Sequence, residues 1–222
     1  MIKRHIPNAL TCANLLSGCI GSIYAFSGDL KTVAFFVIIS GVFDFFDGFA
    51  ARLLNVKSDI GKELDSLADV ISFGFLPGII VYKLLTLSGL GWLSYAGFLI
   101  TIFSALRLAK FNLDTRQTED FIGLNTPMNT FLVISLPYLT DQFSFIANPY
   151  FLISLTAVLC YLLVSEIKLF SMKLSSLKWH PNKYKFIFLF IAVLLVAFLK
   201  FAAIPLILVF YILFSQLHFK YQ

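Results

Sequence analysis

The sequence predicts an all-α membrane protein, a bundle of helices that crosses the bilayer several times. Of its 222 residues, 59% are hydrophobic and only 13% are charged, and the mean hydropathy is +0.88. A soluble domain of this length would carry about twice as much charge. Apolar segments of about 20 residues, the length that spans the hydrocarbon of a bilayer, recur along the whole chain.

Eight such segments can be distinguished, and we expect each to be a helix. They comprise a six-helix core and a C-terminal helical pair: residues 9–27, 32–54, 65–86, 90–109, 126–143, 148–165, 184–200 and 202–218. Only Lys200 and Pro205 divide the last pair, so one long kinked helix and a hairpin are both possible. Six spans with re-entrant or interfacial segments form the alternative count. No long linker or low-complexity tract interrupts the chain, which predicts a single integral membrane domain over residues 1–222.

The distribution of basic residues predicts the orientation in the membrane. With eight spans and both termini inside, Lys31, Lys83 and Lys200 lie outside, and the other 14 of the 17 Lys and Arg residues lie on the cytoplasmic side, as the positive-inside rule requires. Those 14 are Lys3, Arg4, Arg52, Lys57, Lys62, Arg107, Lys110, Arg116, Lys168, Lys173, Lys178, Lys183, Lys185 and Lys220. The net charge of +5 therefore reflects topology and anionic lipid headgroups, and we expect no nucleic-acid partner.

Four carboxylates fall in apolar surroundings within FDFFDGFAARLLNVKSDIGKELDSLAD. They are Asp44, Asp47, Asp65 and Asp69. The first two share an arc of about 100° with Gly48 and Ala51 on one helix, and the last two follow Gly61 at i, i+4 and i+8 on the next. Because four desolvated anions repel one another unless cations lie between them, the pattern predicts a divalent metal site with oxygen ligands.

The spacing D-x2-D-G-x2-A-R-x8-G-x3-D-x3-D resembles the motif of the CDP-alcohol phosphotransferases, membrane enzymes that join a CDP-linked donor to an alcohol. All eight specified positions match: Asp44, Asp47, Gly48, Ala51, Arg52, Gly61, Asp65 and Asp69. The resemblance implies that the four aspartates bind two divalent ions, Mg²⁺ or Mn²⁺, and that Asp69 is also the catalytic general base. The residue pattern alone leaves the roles of ligand and base open for Asp69.

The resemblance also implies a CDP-binding pocket around the metal site. Its predicted residues are Asn8, Thr11, Gly48, Ala51, Arg52 and Gly61, with Asn14, Lys62, Ser66 and Ser72 around the direct ligands. Each glycine could instead serve close helix packing, and Arg52 could simply mark the cytoplasmic end of its helix. The polar stripe of Asn8, Thr11 and Asn14 could equally hydrogen-bond to a neighbouring helix.

Three segments resemble the bacterial and archaeal phosphatidylserine synthases within this superfamily. They are GKELDSLADVISFGFLP at 61–77, RLAKFN at 107–112 and FIGLNTP at 121–127, where Asn125 replaces the usual proline. The resemblance implies CDP-diacylglycerol as donor, L-serine as acceptor, a homodimer and a prokaryotic cytoplasmic (inner) membrane. The distribution of basic residues predicts that the active site lies on the cytoplasmic side.

Serine carries a carboxylate and an ammonium beside its hydroxyl, so its pocket needs both a cation and hydrogen-bond acceptors. Arg107, Lys110 and Asn112 are the candidates for substrate binding, although positive-inside topology alone would also place basic residues there.

Two alternative functions remain. A sibling enzyme would use glycerol 3-phosphate, an inositol phosphate or choline; a phosphorylated acceptor calls for more cations than Arg107, Lys110 and Arg116. A cation transporter would use the acidic cluster as its ion path.

Overall fold

In the computed structural model, which describes residues 5–56, 58–114, 120–172 and 179–220, the chain is almost entirely helical. The α-helices of the described residues are α1 (His5–Ser27), α2 (Leu30–Leu53), α3 (Asp59–Asp69), α4 (Leu76–Leu87), α5 (Leu99–Leu113), α6 (Thr126–Leu139), α7 (Pro149–Val164), α8 (Trp179–Leu199) and α9 (Ala203–Lys220). Two short strands, β1 (Phe121–Ile122) and β2 (Lys168–Leu169), form an antiparallel pair in which Phe121 lies opposite Leu169. The all-α prediction is confirmed.

Helices lie over each of the eight predicted apolar segments. By length and composition, five helical segments of the described residues can cross a membrane: His5–Ser27, Leu30–Leu53, Asp59–Leu87, Gly91–Leu113 and Asn182–Lys220. The protein is therefore an integral membrane protein. The last of the five segments contains both α8 and α9, and α7 is a shorter apolar helix, so the count of eight spans stays a prediction.

A π-helical segment, Val70–Phe75, joins α3 to α4 and makes residues 59–87 one continuous helical stretch. This stretch lies at the centre of the bundle, since 61% of its most apolar window is buried against 11–39% in the other four candidate spans. Leu76, Ile79 and Ile80 are fully buried in the hydrophobic core. The carboxylates of α3 are thus carried by the most buried of the five candidate spans.

The C-terminal pair is a hairpin rather than one kinked helix. The rings of Phe188 on α8 and Tyr211 on α9 have centroids 5.6 Å apart, and those of Tyr184 and His218 lie 6.3 Å apart. Between the helices Lys200 has a φ of 50°, in the left-handed region that commonly ends helices. The chain reverses there, so α8 and α9 are antiparallel.

Helix ends alternate between the two ends of the bundle. At one end, Lys31 Nζ lies 2.5 Å from Asp141 Oδ2, which ties the start of α2 to the end of α6. At the other, Lys62 Nζ donates to the Asn112 carbonyl at 2.9 Å, which ties α3 to the end of α5. The carboxylate-bearing helices meet at this second end, hereafter the site end. Several basic residues of the orientation prediction lie outside the described residues: Lys3, Arg4, Lys57, Arg116, Lys173 and Lys178.

Candidate active site

Three of the four predicted carboxylates converge where α2 ends and α3 begins. Asp44, Asp47 and Asp65 each place one carboxylate oxygen within 4.8 Å of the others. Asp47 is buried, the other two are half-buried, and the buried Asp65 Oδ1 has no hydrogen-bond partner among the described residues. Unpaired anions this close are unfavourable without a cation, and oxygen donors are what Mg²⁺ and Mn²⁺ prefer. The residues present therefore fit a divalent metal.

Asp69 lies one turn further along α3 and is only 8% exposed. It is close enough to interact electrostatically with the other three aspartates, but its oxygens do not belong to the group within 4.8 Å that the described residues form. Asn14 on α1 donates from Nδ2 to Asp69 Oδ1 at 3.2 Å. Asp69 is thus held by a neutral hydrogen-bond donor at the inner edge of the carboxylate cluster.

The polar stripe of α1 contacts carboxylates on both neighbouring helices. Thr11 Oγ1 donates to Asp47 Oδ2 at 2.6 Å, and Asn14 holds Asp69. The backbone carbonyl of Asn14 in turn accepts from Ser40 Oγ at 3.2 Å and from Ser72 Oγ at 3.1 Å. Thr11 and Asn14 therefore hydrogen-bond to neighbouring helices at the acidic cluster itself, and Ser72 contacts the backbone of the residue whose side chain holds Asp69.

A cavity of about 490 Å³ opens beside the carboxylates at the site end. Its lining includes five of the six predicted CDP-binding residues and three other predicted site residues: Asn8, Thr11, Gly48, Ala51, Gly61, Asp47, Asp65 and Lys62. Arg52 is exposed at the end of α2, outside this lining. Pro7 also lines the cavity, and the sequence interpretation missed three further lining residues, which are Val56, Ser58 and Asp59.

The two motif glycines shape this cavity in different ways. A Cβ on Gly61 would lie 3.0 Å from Ser58 Oγ and 3.2 Å from Asn8 Oδ1, so the glycine lets α1 approach the start of α3. A Cβ on Gly48 would meet only Arg52 Nη1, at 3.7 Å, which is ordinary contact. Gly48 thus leaves open space, whereas Gly61 permits packing.

The candidates for acceptor binding separate into two environments. Arg107 is 7% exposed and interacts electrostatically with Asp69, and its guanidinium lies 5.2 Å from the Phe111 ring centroid. Lys110 is exposed and forms an ion pair with Glu166. Only Arg107 of the basic pair is therefore enclosed beside the site.

Asn112 and two residues of α3 form a hydrogen-bonded group at the rim. Asn112 donates from Nδ2 to Ser66 Oγ at 2.8 Å, and its backbone carbonyl accepts from Lys62 Nζ. These contacts tie the end of α5 to α3. Asn112, Lys62 and Ser66 thus position the carboxylate helix.

Two helix caps were also missed, although the sequence carries a signal for each. Ser58 Oγ accepts from Gly61 N at 3.0 Å at the start of α3, and Asn125 Oδ1 accepts from Met128 N at 2.8 Å at the start of α6. Serine and asparagine are preferred N-cap residues. Asn125, the departure from the phosphatidylserine synthase pattern, therefore caps α6.

Known proteins are similar to this chain over most of its length. A family model described as CDP-alcohol phosphatidyltransferase matches residues 4–162, which is most of the chain. The chain belongs to the CDP-alcohol phosphatidyltransferase family. Within this CDP-alcohol phosphatidyltransferase, the carboxylate helices and the cavity fall inside the matched residues, while the C-terminal hairpin lies beyond them.

Similar proteins occur in bacteria and archaea. The CDP-diacylglycerol--serine O-phosphatidyltransferase of Bacillus subtilis (strain 168) is 36% identical over 74% of this chain and 89% of its own length. The protein of the same name from Helicobacter pylori (strain ATCC 700392 / 26695) is 32% identical over 86% of this chain and 81% of its own. The archaetidylserine synthase of Methanothermobacter thermautotrophicus is 31% identical over 69% of this chain and 66% of its own.

Proposed function

We propose that this protein transfers the phosphatidyl group of CDP-diacylglycerol to the hydroxyl of L-serine, giving phosphatidylserine and CMP. The observation that carries the proposal is the cluster of Asp44, Asp47 and Asp65 beside a cavity in a chain of this family. The choice of serine is supported by the names of similar proteins, among them the Bacillus subtilis and Helicobacter pylori enzymes.

Asp44, Asp47 and Asp65 would hold the divalent metal, which we propose to be two Mg²⁺ or Mn²⁺ ions. When bound, such ions neutralise charge on the donor pyrophosphate and on the leaving phosphate oxygen. Thr11 supports this role by donating to Asp47 Oδ2, which fixes that carboxylate in orientation.

The cavity beside the cluster has the position and lining that a CDP group needs. The small residues Gly48 and Ala51 on α2 leave room, and Asn8 and Lys62 supply hydrogen-bond donors at the wall. The lipid tails of the donor would then extend into the surrounding bilayer. Arg52, exposed at the end of α2, would meet the nucleotide from outside the cavity.

Asp69 is the group proposed to accept the serine proton. As the hydroxyl oxygen bonds to the lipid-bearing phosphorus, the bond from that phosphorus to CMP breaks and the proton passes to Asp69. The Asn14 amide, which donates to Asp69 Oδ1, stabilises the carboxylate form that can take this proton. The other carboxylate oxygen of Asp69 would take the proton from the acceptor hydroxyl.

We further propose that the protein is a homodimer in a prokaryotic cytoplasmic membrane, with its termini and active site on the cytoplasmic side. The 14 to 3 distribution of basic residues supports this orientation.

The decisive experiment measures CMP release by purified, detergent-solubilised protein with CDP-diacylglycerol and Mg²⁺ or Mn²⁺. L-serine is compared with glycerol 3-phosphate, inositol phosphate and choline. Metal-dependent CMP release with serine, accompanied by phosphatidylserine, is the expected result. Turnover only with another acceptor would identify the protein as a sibling enzyme of different acceptor specificity. Metal flux into proteoliposomes without CMP release would favour a transporter.

A further inference from the structure

Buried polar atoms without a hydrogen-bond partner fall into two groups within the described residues. The first group, Asn14 Oδ1 and Asp65 Oδ1, belongs to the carboxylate cluster. The second lies on α5 and at the start of α6: Ser104 Oγ, Arg107 Nε, Thr126 Oγ1, and both Oδ1 and Nδ2 of Asn129. Desolvating an amide without partners is unfavourable, so an unpartnered group of this kind requires a polar partner such as a ligand, an ion or water.

The residues of the second group are almost completely buried. Thr126 and Asn129 are both 0% exposed, and Arg107 is 7% exposed. Thr126 and Asn129 lie three residues apart, hence on one face of α6, as Ser104 and Arg107 do on α5. Neighbouring Thr130, in contrast, is fully paired, because its Oγ1 donates to the Phe73 carbonyl at 2.8 Å.

These faces flank the helix that carries Asp69. Arg107 interacts electrostatically with Asp69, Thr130 bonds to the Phe73 carbonyl, and Thr101 Oγ1 donates to the Gly74 carbonyl at 3.1 Å. Both α5 and α6 therefore pack directly against the π-helical segment that follows Asp69.

Helix α1 packs against another side of the same segment. Ser72 faces Asn14 of α1, whereas a Cβ on Gly74 would meet Ser104 of α5 at 3.0 Å. Positions two residues apart point to nearly opposite sides of a helix. The cavity assigned to CDP is lined from α1, α2 and α3 and the loop between α2 and α3, so α5 lies on the side of the segment away from α1, and α6, which contacts Phe73 through Thr130, lies beside α5.

That placement suits the geometry of phosphoryl transfer. The attacking and leaving oxygens lie roughly in line on opposite sides of the phosphorus. With CMP leaving into the cavity on the α1 side, the acceptor hydroxyl would approach from the α5 side, past Asp69.

We propose that Thr126 and Asn129, together with Arg107, form the pocket that holds the ammonium and carboxylate groups of the acceptor L-serine; the proposal rests on the function proposed above. The Arg107 guanidinium pairs with the serine carboxylate. Thr126 Oγ1 and Asn129 Oδ1 accept hydrogen bonds from the ammonium, and Asn129 Nδ2 donates to the carboxylate. Thr126 and Asn129 thereby select an amino acid over an alcohol that lacks the amino group.

The test compares Thr126→Val and Asn129→Ser with Thr130→Val, a matched control on the same helix whose hydroxyl is paired within the protein. Thr126→Val keeps the side-chain shape. We expect the KM for serine to rise roughly 10- to 100-fold in both test variants, as for a lost hydrogen bond to a charged group, with the KM for CDP-diacylglycerol and kcat within about twofold of wild type. Thr130→Val should lower the thermal unfolding temperature and leave the KM for serine unchanged.

A second readout uses 3-hydroxypropanoate, which is serine without its amino group. Wild type should prefer serine strongly, and Thr126→Val and Asn129→Ser should lose much of that preference. Folded variants that keep the wild-type KM for serine and the wild-type preference would overturn the pocket assignment while the proposed function stands. Wild-type protein that releases CMP only with another acceptor would overturn both, and this comparison is made first.

Discussion

Two side chains of α1 each donate a hydrogen bond to a carboxylate on a different helix. Thr11 holds Asp47 of α2, and Asn14 holds Asp69 of α3. Asp47 belongs to the group of three suited to metal, whereas Asp69 stands apart from it. Under the proposed function the two donors serve different steps, so their removal should give different kinetic defects.

Replacing Thr11 with valine should weaken metal binding. The change keeps the side-chain shape but removes the 2.6 Å hydrogen bond that orients Asp47. Groups that orient metal ligands typically contribute about 10- to 100-fold in metal affinity or activity. We expect the Mn²⁺ concentration for half-maximal CMP release to rise by about that factor. Ser22→Ala, which removes a hydrogen bond within α1 itself, is the control and should leave it unchanged.

Asp69→Asn should abolish turnover while donor binding is largely preserved. The amide keeps the size of the side chain but is not an equivalent base, and general base catalysis contributes roughly 10²- to 10⁴-fold. CMP release gives the rate, and equilibrium binding of labelled CDP-diacylglycerol gives the affinity. Asp141→Asn, at the opposite end of the bundle, is the control. Near-normal turnover by folded Asp69→Asn protein would contradict the role of Asp69 as general base.

For individual residues, the sequence predicted which side chains share a helix face within one or two turns. Asp44 and Asp47 share a helix face by spacing alone, and their opposition to Asp65 followed from the motif. Thr126 and Asn129 escaped prediction because their significance depends on which atoms remain unpaired after distant helices pack. Similarly, the pairing of Lys110 with Glu166 joins positions 56 residues apart, which no local pattern encodes.

Among the elements, the π-helical segment Val70–Phe75 directly follows Asp69 and was not predicted. Its sequence, VISFGF, is apolar and fits an α-helical span equally well. The segment places Ser72 against α1 and Gly74 against α5, so it links the side proposed for the nucleotide to the side proposed for the acceptor. Wider turns of this kind frequently occur at functional sites.

The close approach of α1 to this segment predicts a strong effect of Gly18→Ala. A Cβ on Gly18 would lie 3.0 Å from the Ser72 Cα, a backbone atom that cannot yield without moving a helix. Overpacking of this kind costs about 1–3 kcal/mol. Because α1 also carries Thr11 and Asn14, CMP release should fall together with the thermal unfolding temperature in detergent.

Gly41→Ala is the matched control for this prediction. A Cβ on Gly41 of α2 has no atom within 4 Å, outside its own helix and chain neighbours. The substitution should therefore be neutral or slightly stabilising, since alanine favours the helix over glycine. Equal unfolding temperatures for the two variants would contradict tight packing between α1 and Ser72.

For the whole molecule, hydropathy located the helices well but could not choose between a kinked helix and a hairpin at the C-terminus. The choice depends on Lys200 adopting a left-handed backbone and on contacts such as that of Phe188 with Tyr211. A lysine carries no strong local preference for that conformation. The reversal is therefore a property of the packed bundle.

Opposite ends of the bundle should be accessible from opposite sides of the membrane. Asp141 and Lys168 are exposed at the two ends, with Asp141 beside Lys31 and Lys168 on the strand pair at the site end. In a background with Cys12, Cys19 and Cys160 replaced by alanine, single cysteines at these positions are labelled with a membrane-impermeant maleimide. Because most basic residues are assigned to the site end, Asp141→Cys should react in intact cells, and Lys168→Cys only after permeabilisation. The reverse pattern would place the active site outside the cell, away from the cytoplasmic side predicted here. Labelling of both cysteines in intact cells would contradict the prediction that the two ends of the bundle lie on opposite sides of the membrane.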